Sequence, residues 1–268
     1  MKVQGLNVKP IILKLGGSVI THKEEPSTPN KEAVNRLANE ISRAKVSPLV
    51  VVHGGGSFGH PIAKAYRINE GFRDASQIMG FSKTHQAMTK LNKIVIEALI
   101  SHNIPAVEVQ PSSFIITKSD RIKTIDNKVV KKLLETGFVP VLYGDAVLDL
   151  DKGFAILSGD QLVSSLATQL AAERIIIGVD VDGLYASDPK KDKTAKLIQH
   201  ITVQELKNIQ FGIRGATVTD VTGGMLGKIS ELIPAVETGI HVLIINASKP
   251  DNVYKALKEQ EVVGTLIE

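Results

Sequence analysis

Apolar positions along the chain fall into short, nearly continuous runs, with longer stretches of helical spacing between them. Ile11–Leu15, Leu49–His53, Pro105–Val109, Val139–Tyr143, Arg174–Val179 and His241–Asn246 predict six strands. Leu37, Ile41 and Ala44 mark one helical face, and Leu91, Val95, Leu99 and Ile100 another. Thr28-Pro29 has the form of an N-cap and first-turn proline for the first helix, and Ser248-Lys249-Pro250 that of an opening for the last. Strands alternating with helices predict an α/β fold, a three-layer αβα sandwich around a mostly parallel central sheet. Phe114–Ile125, turning at Lys118–Arg121, and Ala146–Leu157, turning at Asp149–Gly153, break the alternation and predict two hairpins, either a pocket wall or surface decoration. With no repeat or linker, residues 1–268 are expected to form a single domain whose halves share one sheet.

Composition narrows the function. Of the 268 residues 43% are hydrophobic and 22% charged, which predicts a packed core. The net charge of +4 suits a small anionic ligand better than a polyanion, and aromatics at 4% without Trp argue against a base-stacking surface. The lack of Cys excludes disulfides, thiolate catalysis, Fe–S clusters and Cys-based zinc sites. The N-terminal apolar run is too short for a signal peptide, and no run approaches the ~20 residues that span a bilayer. A cytoplasmic protein without nucleic-acid or membrane partners is expected.

Three glycine segments carry the chemistry. Lys14-Leu15-Gly16-Gly17-Ser18 ends the first strand, and His53-Gly54-Gly55-Gly56-Ser57-Phe58-Gly59-His60 ends the second. Val221–Lys228, containing Gly223, Gly224 and Gly227, leads into a helix. Glycines admit close backbone approach, and their N–H groups with a helix N-terminus bind anions. Ligands of open α/β sheets sit at the carboxyl ends of the strands. Gly54-x-Gly56-x-x-Gly59 also fits a dinucleotide fingerprint, but Glu70–Asp74, where its acidic partner belongs, follows no apolar strand. The third segment misses the P-loop spacing by one residue and carries Ile229 in place of Ser or Thr. Asp180-Val-Asp182-Gly183 lacks the rest of a calcium loop.

Lys14 interrupts an apolar run, Lys23 lies just beyond, and Lys228 follows the third glycine segment. Lysines among glycines at strand ends suit phosphoryl transfer, where the protein positions groups and neutralises developing charge. His60, at the end of the second loop, would bind a phosphate as an imidazolium.

These segments, with Gly137–Asp145, Ser158–Asp160, Val179–Lys191 and Asp220–Lys228, resemble the amino-acid kinase superfamily over nearly the whole chain. Within it, the run His53–His60 resembles the isopentenyl phosphate kinase family. The resemblance implies ATP-dependent phosphorylation of isopentenyl phosphate to isopentenyl diphosphate, with Mg²⁺ held mainly by ATP phosphates. It implies that Lys14 and Lys228 contact the transferred phosphoryl group and that Lys23 helps stabilise the transition state. Gly16, Gly17, Ser18, Gly56, Gly224 and Gly227 would approach the phosphates of ATP. Gly55, Gly59 and His60 would hold the acceptor phosphate, assisted by Gly159. Asp180 and the 185–191 loop would lie near the nucleotide, and Asp160 would orient lysines. Residues 1–170 would form the acceptor half and 171–268 the nucleotide half of a homodimeric enzyme. The usual Thr-Asp-Lys is Thr21-His22-Lys23 here, so Lys23 is expected to be oriented differently.

A phosphate monoester, with a second pKa of about 6, is largely a dianion at pH 7 and attacks without a general base. Its site needs cations and N–H donors more than a catalytic carboxylate, and those are what the loops supply. Phe81, Thr84 and Met88, with Ile156 and Val147 from the second hairpin, are candidates for the wall around the acceptor's hydrocarbon, though core is the more common role for residues like Met88 and Ile156. The alternatives are a same-fold kinase for acetylglutamate, glutamate, carbamate or UMP, and a nucleotide-binding sensor without turnover.

Overall fold

The computed structural model describes residues 9–187, 192–210 and 223–268. Its strands are β1 (Ile11–Leu15), β2 (Leu49–His53), β3 (Ala106–Glu108), β4 (Ile115–Lys118), β5 (Arg121–Ile125), β6 (Val139–Tyr143) and β7 (Asp145–Asp149). There follow β8 (Gly153–Leu157), β9 (Arg174–Val179), β10 (Leu184–Tyr185), β11 (Leu197–Ile198), β12 (His200–Ile201), β13 (His241–Asn246) and β14 (Gly264–Ile267). The helices are α1 (Gly17–Ile20), α2 (Lys31–Ala44), α3 (Gly56–Ala65), α4 (Ser76–Ser101), α5 (Lys128–Thr136), α6 (Gly159–Leu170), α7 (Val203–Gln210), α8 (Gly223–Ser230), α9 (Ile233–Val236) and α10 (Asn252–Leu257).

Among the described residues the main sheet has the order β12-β14-β13-β9-β1-β2-β6-β3. The six strands predicted from apolar runs are its six contiguous parallel strands, while β14 runs antiparallel to β13 and pairs with β12. Side chains alternate across the pleat. Ile11, Leu13 and Leu15 face a layer containing Leu37 and Ile41 of α2, Leu91, Val95 and Leu99 of α4, and Val253 and Leu257 of α10. Ile12 faces the opposite layer, with Leu162, Val163 and Leu166 of α6 and Val130 and Leu134 of α5. The three-layer α/β sandwich is therefore present, and no helix among the described residues is long and apolar enough to cross a membrane.

The two predicted hairpins form, and they join as a second sheet of order β5-β4-β7-β8, meeting at Thr117 and Asp149. Ser119 and Asp120 turn the first hairpin with both φ angles positive, at 49° and 66°. The buried Asp149 carboxylate accepts N–H bonds from both turns: Ser119 (3.2 Å) and Asp120 (3.0 Å) in the first, Asp151 (2.9 Å) and Lys152 (3.0 Å) in the second.

Helix starts differ from expectation. Asn30, not Thr28, caps the first long helix, its Oδ1 accepting from Ala33 N at 3.1 Å, while Pro29 bridges to Thr21. The last helix begins at Asn252, after Asp251 in the left-handed region, beyond the Ser248–Pro250 turn. Ile100 is 55% exposed and lies off the buried face of α4. The second glycine segment is itself the first turn of α3, which continues through Pro61. Pro61 cannot donate to Ser57 O, and that carbonyl accepts Ser27 N–H instead, at 2.9 Å.

Candidate active site

The carboxyl ends of β1, β2, β6 and β9 and the first turn of α6 enclose a cleft of about 470 Å³. Its floor is backbone. A Cβ on Gly17 would lie 2.3 Å from Gly56 N, and one on Gly56, whose φ is +49°, would lie 2.2 Å from Thr21 Oγ1. The first two glycine loops thus touch main chain to main chain, which only glycine permits.

Lys14 lies on the Ile12 side of β1 and reaches under α6. Its Nζ donates to Asp160 Oδ1 at 2.5 Å, both side chains being under 10% exposed. A Cβ at Gly159 would sit 3.3 Å from Lys14 Cε, so this glycine gives the lysine its path. Ser158 Oγ caps α6 by accepting from Gln161 N, which fixes the turn carrying Asp160. Lys23 Nζ donates to Asp180 Oδ2 at 2.7 Å, and Ser18 Oγ to Asp180 Oδ1 at 3.1 Å. Asp180, at the end of β9, so supplies the carboxylate that His22 does not.

Lys228 lines the same cleft from α8. Desolvation lowers its pKa, and the charge of Lys14 lowers it further, against the pull of Asp160 and Asp180. His60 is also lowered, first by desolvation and then by Lys228 and Lys14. Lys14 and Lys228 crowd positive charge into one volume beside the His60 ring, which favours an anionic guest.

Gly16, Gly17, Ser18, Gly55, Gly56, Gly59, Thr84, Met88, Ile156, Gly159 and Asp180 also line the cleft. Met88 Sδ backs the loop after β2, 3.1 and 2.7 Å from where Cβ atoms on Gly55 and Gly59 would stand. Phe81 is elsewhere: its ring packs on Phe154 at 5.6 Å, outside the cleft lining. Val147 is core, fully buried. Gly227 is exposed with open space about it, and Gly224 lies on the α8 backbone. Residues 188–191 of the loop after Tyr185, and residues 221 and 222 of the third glycine segment with Asp220 before them, lie outside the described residues.

Sequence reasoning missed Asp145 and His85. Asp145 lines the cleft after Gly144, and its buried carboxylate takes His85 Nδ1 at 2.9 and 3.0 Å. The hydrogen bond to Asp145 raises the His85 pKa against desolvation. Its signal was position, an acid next to a glycine at a strand end. The carboxylates Asp160, Asp180 and Asp145 are thus all engaged by basic side chains. The dinucleotide reading fails structurally as well: Glu70 lies in a single 3₁₀ turn and Asp74 precedes α4, neither at a strand end. Asp182 is paired with Lys249 (2.6 Å) and Asn246 (3.1 Å), and among the described residues no three His, Asp or Glu cluster to hold a metal.

Clustered cations, backbone glycine loops and preoccupied carboxylates on this fold are the apparatus of a phosphotransferase. Residues 9–246 match the model of the Amino acid kinase family, and the chain belongs to that family. It is 45% identical to the isopentenyl phosphate kinase of Methanothermobacter thermautotrophicus, covering 96% of this chain and 98% of that one. It is 38% identical to the isopentenyl phosphate kinase of Methanocaldococcus jannaschii over the same shares. A crystal structure of an isopentenyl phosphate kinase superposes with a TM-score of 0.86 at 42% identity, over 97% of this chain and all of that one.

Proposed function

We propose that this chain transfers the γ-phosphoryl group of ATP to isopentenyl phosphate, giving isopentenyl diphosphate. One observation carries the reading: Lys14, Lys228 and His60 converge on one cleft whose carboxylates are each tied to a basic group. Among the described residues no carboxylate lining the cleft is free to deprotonate an alcohol, which favours an acceptor that brings its own nucleophile, as a phosphate dianion does. The near full-length identity to isopentenyl phosphate kinases supports the same acceptor.

In this reading the loop after β2, with Gly55, Gly59 and His60, holds the acceptor phosphate. Gly16, Gly17, Ser18 and Gly56 approach the donor phosphates. Lys14, held straight by Asp160, and Lys228 face the transferred group, and Lys23 swings over it from Asp180. Their combined charge offsets the negative charge spread over the equatorial oxygens in flight. Mg²⁺ would be held mainly by the ATP phosphates and water, because the lysine-bound Asp160 and Asp180 are a poor metal cage, and it would supply charge neutralisation on the donor phosphates. Residues 1–170 serve the acceptor and 171–268 the nucleotide. The assembly is a homodimer, to be checked by light scattering, and the enzyme works in the cytoplasm.

The test is ADP release with ATP and Mg²⁺, offering isopentenyl phosphate, UMP, N-acetylglutamate, glutamate and carbamate separately, on wild type and His60→Ala. Turnover with isopentenyl phosphate alone, lost in the variant, is expected. Turnover with a carboxylate or UMP instead would keep the family and overturn the acceptor.

A further inference from the structure

Behind the acceptor loop lies a buried imidazole that the mechanism above does not use. His53, the last residue of β2, is fully buried. Its Nδ1 lies 3.1 Å from Gly54 O and its Nε2 lies 3.1 Å from Asn92 Oδ1 on α4. Tyr143 stacks on the ring at 5.5 Å, its hydroxyl donating to Glu108. With the Asn92 amide in this orientation both neighbours of the imidazole are oxygens, so both ring nitrogens would have to donate. Only an imidazolium does that.

Burial argues against the imidazolium: desolvation lowers the His53 pKa below its ordinary value, against the pull of Gly54 O, Asn92 and Glu108. A second observation resolves the conflict. Asn92 is fully buried, and its Nδ2 has no hydrogen-bond partner among the described residues. Turning the Asn92 amide end for end puts Nδ2 on His53 Nε2, and the oxygen and nitrogen of an amide are interchangeable in shape. The orphan donor is satisfied, Nε2 becomes an acceptor, and the single ring proton sits on Nδ1. It is then given to Gly54 O.

That bond has a consequence in the cleft. The Gly54–Gly55 peptide is planar and trans, so its C=O and N–H point in opposite directions. Anchoring Gly54 O on the buried ring turns Gly55 N–H away from the core, on a residue that lines the cleft. A glycine pair has no side chain to hold this plane, and a free peptide there could flip. We propose that His53 is a positioning residue. As a neutral Nδ1–H tautomer set by Asn92, it fixes the Gly54–Gly55 peptide so that Gly55 N–H is presented to the acceptor's phosphate. This rests on the acceptor site proposed above for its ligand, but not for its tautomer.

Two measurements test it. The first is the ¹⁵N–¹H long-range spectrum of the histidine rings in the wild-type protein, with His53→Asn used to assign the signal. The expected pattern is one protonated Nδ1 and one unprotonated Nε2, unchanged from pH 6 to 8. A doubly protonated or Nε2–H ring overturns the proposal, whichever acceptor the enzyme takes. The second compares His53→Asn, whose amide N–H overlays Nδ1, with His53→Gln, whose amide reaches the Nε2 position. Each is assayed with isopentenyl phosphate, and melting temperatures are measured alongside. His53→Gln is expected to raise the acceptor KM about tenfold with kcat changed less than about threefold, and His53→Asn to restore most of the loss at a similar melting temperature. Equal KM values in the two variants overturn the proposal. Wild type that turns over another acceptor but not isopentenyl phosphate overturns the substrate reading instead, and the same comparison is then made with that acceptor.

Discussion

Lys14 and Asp160 stand 146 residues apart in sequence and 2.5 Å apart in the cleft, joining the end of β1 to the first turn of α6. A buried pair of this kind costs desolvation on both sides, and its use is to hold the ammonium in one place. Lys14→Ala is expected to lower kcat about 10²- to 10³-fold, the scale of losing one charge-stabilising donor, while ATP still binds. Asp160→Ala leaves Lys14 unpaired beneath α6 and is expected to destabilise the protein by about 3 kcal/mol. Asp160→Asn keeps an acceptor oxygen and is expected to have a kcat between those of wild type and Lys14→Ala. Steady-state kinetics and thermal melts check the set, and an Asp160→Asn enzyme of wild-type kcat would remove the orienting role.

Gly17→Ala and Gly159→Ala should fail differently. The first drives a methyl against Gly56 N, main chain that cannot yield, and is expected to cost about 3 kcal/mol with loss of activity. The second meets Lys14 Cε at 3.3 Å, the far part of a flexible side chain. It is expected to melt close to wild type and to turn over slowly, because Lys14 is displaced. Melting curves paired with kcat separate the two outcomes, and equal melting losses would contradict the account.

His60 predicts a pH effect of definite sign. In the free protein its pKa lies below the ordinary histidine value, so the ring is neutral at pH 7. A bound phosphate dianion reverses the local field and raises that pKa. Binding therefore takes up protons, and acceptor affinity falls as pH rises from the lowered pKa of the free ring through the higher one of the complex. Calorimetry of acceptor binding in buffers of different ionisation enthalpy is expected to show proton uptake near pH 7 that His60→Gln abolishes. Uptake unchanged in the variant would place the proton elsewhere.

Asp149 predicts an acid-labile hairpin sheet. Burial alone would raise its pKa, but the donated N–H bonds of Asp120, Asp151 and Lys152, with Thr117, hold it well below the usual carboxylate range. The folded pKa is depressed, so this stabilisation is complete above the unfolded value of about 3.9 and is lost as pH falls below it. Asp149→Asn removes half of the acceptor capacity and is expected to cost about 2 kcal/mol at pH 7. The gap between variant and wild type should narrow in melts below pH 4, and a constant gap would contradict the role.

The central parallel strands β1, β2, β6 and β9 were legible because they are buried on both faces and appear in sequence as nearly continuous apolar runs. Lys14 was legible for the converse reason, as a charge where the run demands a hydrophobe. Both hairpins showed in their turn residues. What the chain did not show was where one element meets another. Helix α3 hides in a stretch whose glycines look like loop, and its proline looks like a stop. Phe81 has the helical spacing for the cleft, but Phe154 captures it from a strand 73 positions on. Asp145 and His85 belong to no local pattern, and their pairing depends on how α4 crosses the end of β6. Thr28-Pro29 is a sound helix opening on local grounds, yet Pro29 pairs with Thr21 and Asn30 takes the cap.

Ser57, whose carbonyl is left by Pro61 to Ser27 N–H, makes two further bonds to the same segment. Its N–H also goes to Thr21 Oγ1 at 3.0 Å, and its hydroxyl to Thr28 O at 3.4 Å. One residue of α3 thus moors both feet of the arch that carries Lys23. Thr21 and Thr28, on either side of Lys23, are thereby tied to one point of α3, which sets where the lysine's backbone stands over the cleft. Ser57 and His60 lie three residues apart on the same helix, so the mooring of the Lys23 arch and the imidazole share one rigid element.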